Sequence, residues 1–537
     1  MLEWIKRSGG GPDHPMRNPS AGRRLLAELR TNDPVTALAE LSGWLESLAQ
    51  APGFDERVRS EVLALIQEAG APHVSALLAH YLSEPTDGPV LRESKWKALF
   101  DYSTILSEVL CGSAERLIAA ATHDAEMGVA SAAGAVRGLR GCRTLAKVCL
   151  IRYLSVPSKL WRQAYSLYAS AEVAGRAASA VHPHPDDKTT TTVTKELLRL
   201  LMLQVSVPEM LAPEHIEIVD RITQQLGNDF ALLPAGATDG HFRFNPDGEL
   251  PPQRVPEQNG EPGKATRYFS PGSTLEALAR LHKQLAASRT PDVKAFGPDI
   301  TPTAKLTAIE HLLLFWRPKP GYAPPAHAPA SGDLLIVHSY VQLCGHLPDA
   351  ESTMKGSTAI GIANAETTEP QPPETWSLRD AGGSELGAEI PQLSGSWARC
   401  GQLVGVSVGR SDCWWVGVIR RMHADSGRRM HADIAVFSRQ PLAVKLRIAG
   451  GNSEEAADWA TSSDSLSYHH VTAVLLPDIS QATGKLNLLL PAEGSKAGQI
   501  YEAMLGGVSR YLRVVQLLKR GEDYARVAFE WTPAAKG

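Results

Sequence analysis

The chain has few cysteines, and none of them suits a metal site or a disulfide framework. Its six cysteines lie at positions 111, 142, 149, 344, 400 and 413. No two of them form a CxxC motif, whose closely spaced thiolates are typical of structural zinc sites. The spacing therefore predicts reduced thiols, as in cytosolic proteins, and neither a metal site nor a disulfide scaffold.

Long apolar runs and an excess of positive charge are also missing. The N-terminal sequence MLEWIKRSGGGPDHP lacks the apolar core of a signal peptide. The longest apolar stretch, around residues 197–207, is interrupted by Arg199 and Gln204 and is too short to span a bilayer. A net charge of −4 argues against a nucleic-acid polymer as the main ligand, because phosphate backbones require a basic face. We therefore predict a cytoplasmic protein without a membrane span.

What is present is helical patterning over the first part of the chain. Asp33 followed by Pro34 is a typical helix start, a capping residue and then a proline in the first turn. Leucines at 38, 41, 45 and 48 then lie on one helical face. Similar stripes recur to about residue 230. The pattern predicts a disordered N-terminus over 1–21 and an all-α domain over 22–233.

The remaining sequence changes character twice. Residues 234–331 are rich in proline and glycine, which predicts a linker that contains two short helices, one starting at Ser273 and one over 302–316. After residue 331, short strands separated by turns predict an antiparallel β-barrel over 332–450. Residues 451–537 are expected to form a β-rich C-terminal extension. The chain is thus predicted to be multidomain, with an all-α N-terminal domain and a C-terminal antiparallel β-barrel.

The segment WSLRDAGGSELGAEIP, residues 376–391, resembles the central motif of PilZ domains, and VGVSV and WWVGVIRR further on resemble their later strands. PilZ domains are bacterial receptors for cyclic-di-GMP. The resemblance implies two motifs. An RxxxR pair just ahead of the first strand binds phosphates and stacks on guanines, and a (D/N)xSxxG motif hydrogen-bonds to guanine edges.

The sequence departs from both motifs. Residues 321–333 contain no arginine or lysine, and the nearest cations are Arg317 and Lys319. In the second motif, anchoring on Ser384 and Gly387 keeps SxxG but puts Gly382 at the acidic position. Anchoring on Asp380 instead keeps only the acid, and Arg379 beside it is a further phosphate-binding candidate. Each missing arginine removes roughly 1.5–3 kcal/mol of charge-assisted hydrogen bonding, so this motif predicts weak or no binding of cyclic-di-GMP.

The duplicated hexapeptide RRMHAD, at 420–425 and 428–433, brackets a Ser-Gly turn. Paired strands could bring His423 and His431 together. Two histidines are too few for a stable zinc site, so a hairpin without a metal is the preferred interpretation.

Three functions are compatible with these observations. The first is a non-enzymatic signalling protein, an effector or degenerate receptor of cyclic-di-GMP that contacts an unidentified protein partner through its helical domain. The second is an adaptor that binds no ligand. The third, least favoured, is a serine hydrolase that uses Ser407 of a GxSxG sequence or Ser352 of an SxxK sequence.

We expect no esterase activity. A nucleophilic serine requires a positioned base and an oxyanion hole, and Ser407 lies inside an apolar strand pattern without a following helix. The purified protein should therefore not hydrolyse a nitrophenyl ester above the rate in buffer. Turnover that disappears in the Ser407→Ala variant would contradict this expectation.

Overall fold

The structure, a computed structural model, divides into two compact units, residues 1–323 and 324–537. It describes residues 13–29, 33–83, 88–121, 125–184, 187–234, 237, 240–256, 265–287, 296–297, 299–319, 327–354, 372–391, 397–409, 411–449, 470–478, 486–492 and 496–533. The predicted fold class is confirmed, because a helical region precedes closed antiparallel β-barrels.

The first unit begins with eight α-helices. They are α1 (Pro19–Ala27), α2 (Pro34–Gln50), α3 (Glu56–Ser83), α4 (Pro89–Ala120), α5 (Ala125–Ile151), α6 (Ser158–Val173), α7 (Val193–Gln204) and α8 (Pro213–Leu226). At the start of α2, the Asp33 carboxylate accepts hydrogen bonds from the backbone N–H groups of Val35 and Thr36. The predicted leucine stripe of α2 is fully buried.

The segment predicted to be a linker folds, where described, onto these helices. Four short strands form an antiparallel sheet in the order β1-β4-β2-β3: β1 (Ala231–Leu232), β2 (Phe242–Phe244), β3 (Gln253–Arg254) and β4 (Arg267–Ser270). Phe244 of β2 stacks on Tyr165 of α6, with ring centroids 5.2 Å apart. The linker prediction is thus wrong for these residues, because aromatic side chains spaced two apart anchor a strand even among prolines and glycines.

Two further helices, α9 (Thr274–Ala287) and α10 (Pro302–Phe315), complete the first unit. Leu278 of α9 and Ile309 of α10 are fully buried and belong to the same apolar core as α1–α8. The described elements from β2 to α10 therefore contribute to the core of the helical unit.

Among the described helices, only α3 (Glu56–Ser83) has the length and the apolar composition that a membrane-spanning helix needs. Of its most apolar 18-residue window, 44% is buried, and Val62, Leu63 and Ile66 lie in the apolar core. A core helix passes the same test, so this property alone is weak support for a membrane span.

A buried ionic cluster joins α5, α7 and α8. Glu196 and Asp220 are each only 1% exposed. The Lys147 Nζ lies 2.9 Å from Asp220 Oδ2, the Arg143 Nε lies 3.4 Å from Asp220 Oδ1, and the Arg140 Nε lies 3.3 Å from Glu196 Oε1. The three cations follow one face of α5, since they are spaced three or four residues apart. Burial alone would raise the pKa of Glu196, but the nearby arginines lower it overall.

Glu196→Gln should strongly destabilise the helical unit. Removal of one partner leaves buried cations uncompensated, which costs about 3–5 kcal/mol. Because the folded-state pKa of Glu196 is lowered, its contribution is complete above the ordinary pKa of 4.5 and is lost progressively as the pH falls through the lowered value. In denaturant unfolding, the difference from wild type should therefore be smaller at pH 3.5 than at pH 7, by up to about 1.4 kcal/mol.

Glu276→Gln is the matched control. Its side chain is 81% exposed and lies 4.0 Å from Arg280, so its unfolding free energy should change by less than about 1 kcal/mol. Equal effects of the two substitutions would show that the buried cluster does not stabilise α5, α7 and α8.

The second unit consists of two closed antiparallel barrels, here named barrel 1 and barrel 2. Barrel 1 has the strand order β10-β7-β6-β5-β8-β9, and barrel 2 the order β11-β12-β13-β16-β15-β14. The strands are β5 (Ala328–His338), β6 (Glu374–Gly382), β7 (Glu385–Ile390), β8 (Leu403–Val408), β9 (Trp414–Ala424), β10 (Met430–Ser438), β11 (Leu442–Ile448), β12 (His470–Leu475), β13 (Leu486–Pro491), β14 (Ile500–Leu505), β15 (Val508–Arg520) and β16 (Tyr524–Thr532). Two helices, α11 (Tyr340–His346) and α12 (Ala350–Met354), follow β5.

The boundary expected at residue 450 differs from the observed division. Strand β11 pairs with β12 and β14, so it belongs to barrel 2. The C-terminal residues expected to extend barrel 1 form a second closed barrel instead. The reason is that strand partners are fixed by pairing between residues far apart in sequence, which a local pattern of strands and turns does not specify.

The two barrels share an apolar core. Tyr340 and Leu343 of α11 and Leu403 of β8 are buried against Leu489 of β13 and Tyr524 of β16. The Tyr340 hydroxyl lies 2.8 Å from the Thr472 carbonyl oxygen, and the backbone N–H of Tyr340 donates to the Asp523 carboxylate at 2.6 Å. Side chains of α11 thus attach barrel 1 firmly to barrel 2.

Candidate functional site at the junction of the two barrels

The predicted PilZ-like motif forms the hairpin of β6 and β7. Gly382 pairs with Glu385 across a two-residue turn of Gly383 and Ser384. Gly383 has a positive φ of 49°, which a tight turn requires and glycine adopts without strain. Ser384 is an exposed residue of this turn, two positions after Gly382 at the end of β6.

Gly387, the glycine of the (D/N)xSxxG motif, leaves space for the carboxylate of Asp380. Asp380 pairs with Gly387, and a Cβ at Gly387 would lie only 2.2 Å from Asp380 Oδ1. His327, just ahead of β5, places its Nδ1 2.5 Å from that oxygen and its Nε2 3.6 Å from Glu385 Oε2. Asp380 is thus already paired with His327, whose imidazole is a cation when it is protonated.

The two copies of the hexapeptide lie mainly on the neighbouring antiparallel strands β9 and β10. His423 of β9 lies opposite His431 of β10, with ring centroids 5.2 Å apart. His431 is only 2% exposed, and its Nδ1 accepts a hydrogen bond from Arg379 at 2.9 Å. No group of three or more side chains suited to a metal ion occurs among the residues that the structure describes.

Arg317 and Lys319 belong to the first unit, and the other predicted site residues belong to the second. The Arg317 carbonyl oxygen accepts a hydrogen bond from Arg254 at 2.6 Å, which holds the chain after α10. Within the second unit, the structure brings Asp380, Gly382, Ser384 and Gly387 together in one hairpin.

A different constellation lies where barrel 1 leads into barrel 2. Arg439, between β10 and β11, has its guanidinium carbon 4.7 Å from the ring centroid of Trp415 and donates to the Gly383 carbonyl oxygen at 2.8 Å. The Arg439 backbone N–H donates to Asp478 Oδ2 at 2.5 Å, and the Ser438 hydroxyl lies 3.3 Å from the same oxygen. An arginine, an aromatic ring and a carboxylate thus converge beside the motif hairpin.

These residues were missed because the second motif was sought only in barrel 1. Asp478 begins the sequence DISQATG, in which the acid and the serine have the motif spacing but the glycine, Gly484, comes one position late. Residues 479–485 lie outside the described part of the chain. Arg439 lies three residues ahead of β11, the first strand of barrel 2, which matches the position that the resemblance implies for the arginine motif.

The hydrolase alternatives gain no geometric support. Ser407 is fully buried in β8, and its hydroxyl donates to the carbonyl oxygen of Ser411. Such a serine is not accessible to a substrate. Ser352 lies in the first turn of α12, where its backbone N–H and its hydroxyl donate to Asp349 Oδ2 at 3.0 and 2.8 Å.

Comparison with known families finds a match, and it lies in the helical region. Residues 20–235 match the family model described as cyclic-di-GMP receptor FimW, N-terminal domain. The helical region is therefore similar to that family. The match spans α1–α8 and confirms the predicted resemblance to cyclic-di-GMP receptors with a helical N-terminal region. It indicates a cyclic-di-GMP receptor signalling protein. No curated protein and no solved structure matches the chain.

His327→Gln should destabilise the second unit at mildly acidic pH only. The hydrogen bond to Asp380 raises the pKa of His327, and the nearby Glu385 and Asp433 act in the same direction. A raised folded-state pKa means that the stabilisation is present below the ordinary pKa and is lost as the pH rises above the raised value. The melting temperature should fall relative to wild type at about pH 6 and should equal it at about pH 9.

The control is His282→Gln in the first unit, where His282 Nε2 lies 3.1 Å from the exposed Glu310. Its melting temperature should follow wild type at both pH values. A His327→Gln penalty that is the same at pH 6 and pH 9 would exclude an ionic role for this histidine.

Proposed function

We propose that the chain is a non-enzymatic bacterial signalling protein that binds cyclic-di-GMP where the two barrels meet. The observation that carries the proposal is the convergence of Arg439, Trp415 and Asp478. The family match of the helical region supports the ligand, and the residues at the junction have the chemistry to bind it.

Each of these residues suits one part of the dinucleotide. The Arg439 guanidinium is exposed and lies over an indole ring, so it can pair with a phosphate oxygen or stack on a guanine face. The Asp478 carboxylate can accept hydrogen bonds from the Watson–Crick edge of guanine. Its present hydrogen bonds use one oxygen, Oδ2. The backbone bond from Arg439 keeps the acid beside the arginine.

We assign the PilZ-like role to barrel 2, which replaces the expectation for barrel 1. Arg439 precedes the first strand of barrel 2 and Asp478 follows its second strand, in the order that the two motifs require. The arginine motif is incomplete, because the positions four residues before and after Arg439 are alanines, Ala435 and Ala443. The motif hairpin of barrel 1 would then form one wall of the site through Gly383.

The helical unit is the part that we propose contacts a protein partner. Val90 and Leu91 at the start of α4 are 86% and 50% exposed, and Val173 at the end of α6 is 90% exposed. Val90 and Leu91 are consecutive in sequence, and adjoining exposed apolar side chains suit contact with another protein. We further propose that the protein acts in the cytoplasm, with no membrane span and no nucleic-acid polymer as partner.

Arg439→Ala should weaken binding of cyclic-di-GMP by about tenfold or more. A charge-assisted hydrogen bond is worth about 1.5–3 kcal/mol, and tenfold corresponds to about 1.4 kcal/mol. Isothermal titration calorimetry of the full chain measures the change. Arg513→Ala is the control, because Arg513 lies on β15 in an exposed ion pair with Glu530. Its affinity should equal that of wild type.

Asp478→Ala should weaken binding comparably through loss of the guanine contact. Tight binding by wild type that neither substitution weakens would move the site elsewhere, with Arg379 and Asp380 as the next candidates. Absence of binding to the folded wild-type chain would refute the receptor and favour the ligand-independent adaptor.

A further inference from the structure

A cluster of cations, separate from the site around Arg439, lies where barrel 2 packs on barrel 1. Lys519 of β15 and Arg526 of β16 are directly opposite each other, so their side chains share one face of the sheet. Like charges in this position are destabilising. Among the residues that the structure describes, neither forms an ion pair. We propose that Lys519, Arg526 and Arg420 bind a phosphate group, at a site distinct from Arg439 and Asp478.

The face on which this pair lies is the one turned towards barrel 1. Leu489 pairs with Arg526 across β13 and β16, and Tyr524 precedes Arg526 by two residues on the same face. Leu489 and Tyr524 both belong to the core shared with barrel 1. The cations therefore lie at the margin of that core, where Lys519 remains exposed to solvent.

Arg526 is held in place by an aromatic ring of the other barrel. Its guanidinium carbon lies 4.9 Å from the ring centroid of Phe437 on β10. Its Nε is fully buried and has no hydrogen-bond partner among the described residues. A buried donor without a partner costs about 1–3 kcal/mol, so the site is unfavourable until a ligand supplies an acceptor.

Arg420 adds a third positive charge from barrel 1. It lies where the pairing of β9 with β10 shifts register and forms an ion pair with the buried Glu385. Arg420 follows Val418 of the shared core by two residues on β9, which places it on the strand face turned towards barrel 2. The cluster thus carries more positive than negative charge, although one of its members is already paired.

The chemistry of the cluster selects a phosphate over a neutral ligand. A phosphate group offers several strong acceptor oxygens, which can accept from two guanidinium groups and an ammonium group at once. It would also remove the repulsion between Lys519 and Arg526. The phosphate could come from cyclic-di-GMP or from a smaller phosphate compound, and the experiment separates these sources.

The test is thermal unfolding of the full chain at low ionic strength with added sodium pyrophosphate. We expect pyrophosphate to raise the melting temperature of wild type, since a ligand that binds only the folded state stabilises it. Lys519→Gln should abolish this rise. Without pyrophosphate, the same variant should melt at or above the wild-type temperature, because the repulsion with Arg526 is gone. A merely structural lysine would give the opposite sign.

Arg513→Gln, on the same strand but paired with Glu530, should keep the full response to pyrophosphate. Absence of any response in wild type, a full response in Lys519→Gln, or an equal loss in Arg513→Gln would each overturn the site. Arg526→Gln should also lose the response to pyrophosphate. If loss of the contact with Phe437 prevents this variant from folding, the Lys519→Gln variant still tests the site.

Titration of Lys519→Gln with cyclic-di-GMP identifies the source of the phosphate. A tenfold or larger loss of affinity would show that the dinucleotide contacts both the Arg439 site and the cation cluster. Unchanged affinity, together with the lost pyrophosphate response, would show a separate phosphate site. If wild type binds no cyclic-di-GMP, the proposed function fails while the pyrophosphate result still decides this inference.

Discussion

The apolar core that the two barrels share is the contact on which the rest of the second unit depends. Burial of Tyr340, Leu403, Leu489 and Tyr524 fixes the barrels against each other, and none of the described strands of one barrel pairs with a strand of the other. Close-packed cores have few alternative arrangements, so the polar residues around this one are held in defined positions. The constellation of Arg439, Trp415 and Asp478 and the cation cluster around Lys519 both lie near this core, because β10 ends there and the β15–β16 hairpin packs there.

The helical domain could be predicted from sequence because helix signals are local. Asp33, Pro34 and the leucines that follow specify a capped amphipathic helix within one short stretch. The same reasoning failed for Phe244, because its ring partners on α6, Tyr165 and Tyr168, lie 79 and 76 residues earlier in the chain. Composition alone therefore indicated a linker where the chain adds to the core.

Barrels are harder to predict, because each strand is defined by two neighbours that can be distant in sequence. Leu442–Ile448 follows barrel 1 directly and reads as its last strand, yet its partners are β12 and β14. The same limit applies to the proposed ligand site. Asp380 and Gly387 could be matched to a motif because they lie close together in sequence. Arg439 and Asp478 are 39 residues apart, and only the fold shows that they are in contact.

Closure of both sheets has a consequence for recognition. Each strand of the two six-stranded barrels has neighbours on both sides, so the described strands offer no open row of backbone N–H and carbonyl groups. A partner cannot dock on this unit by adding a strand of its own to an existing sheet, which is a common mode of peptide binding. Side chains and connecting loops must therefore make the contacts with any partner or ligand of this unit. Its specificity can therefore change through single substitutions while the backbone stays as it is.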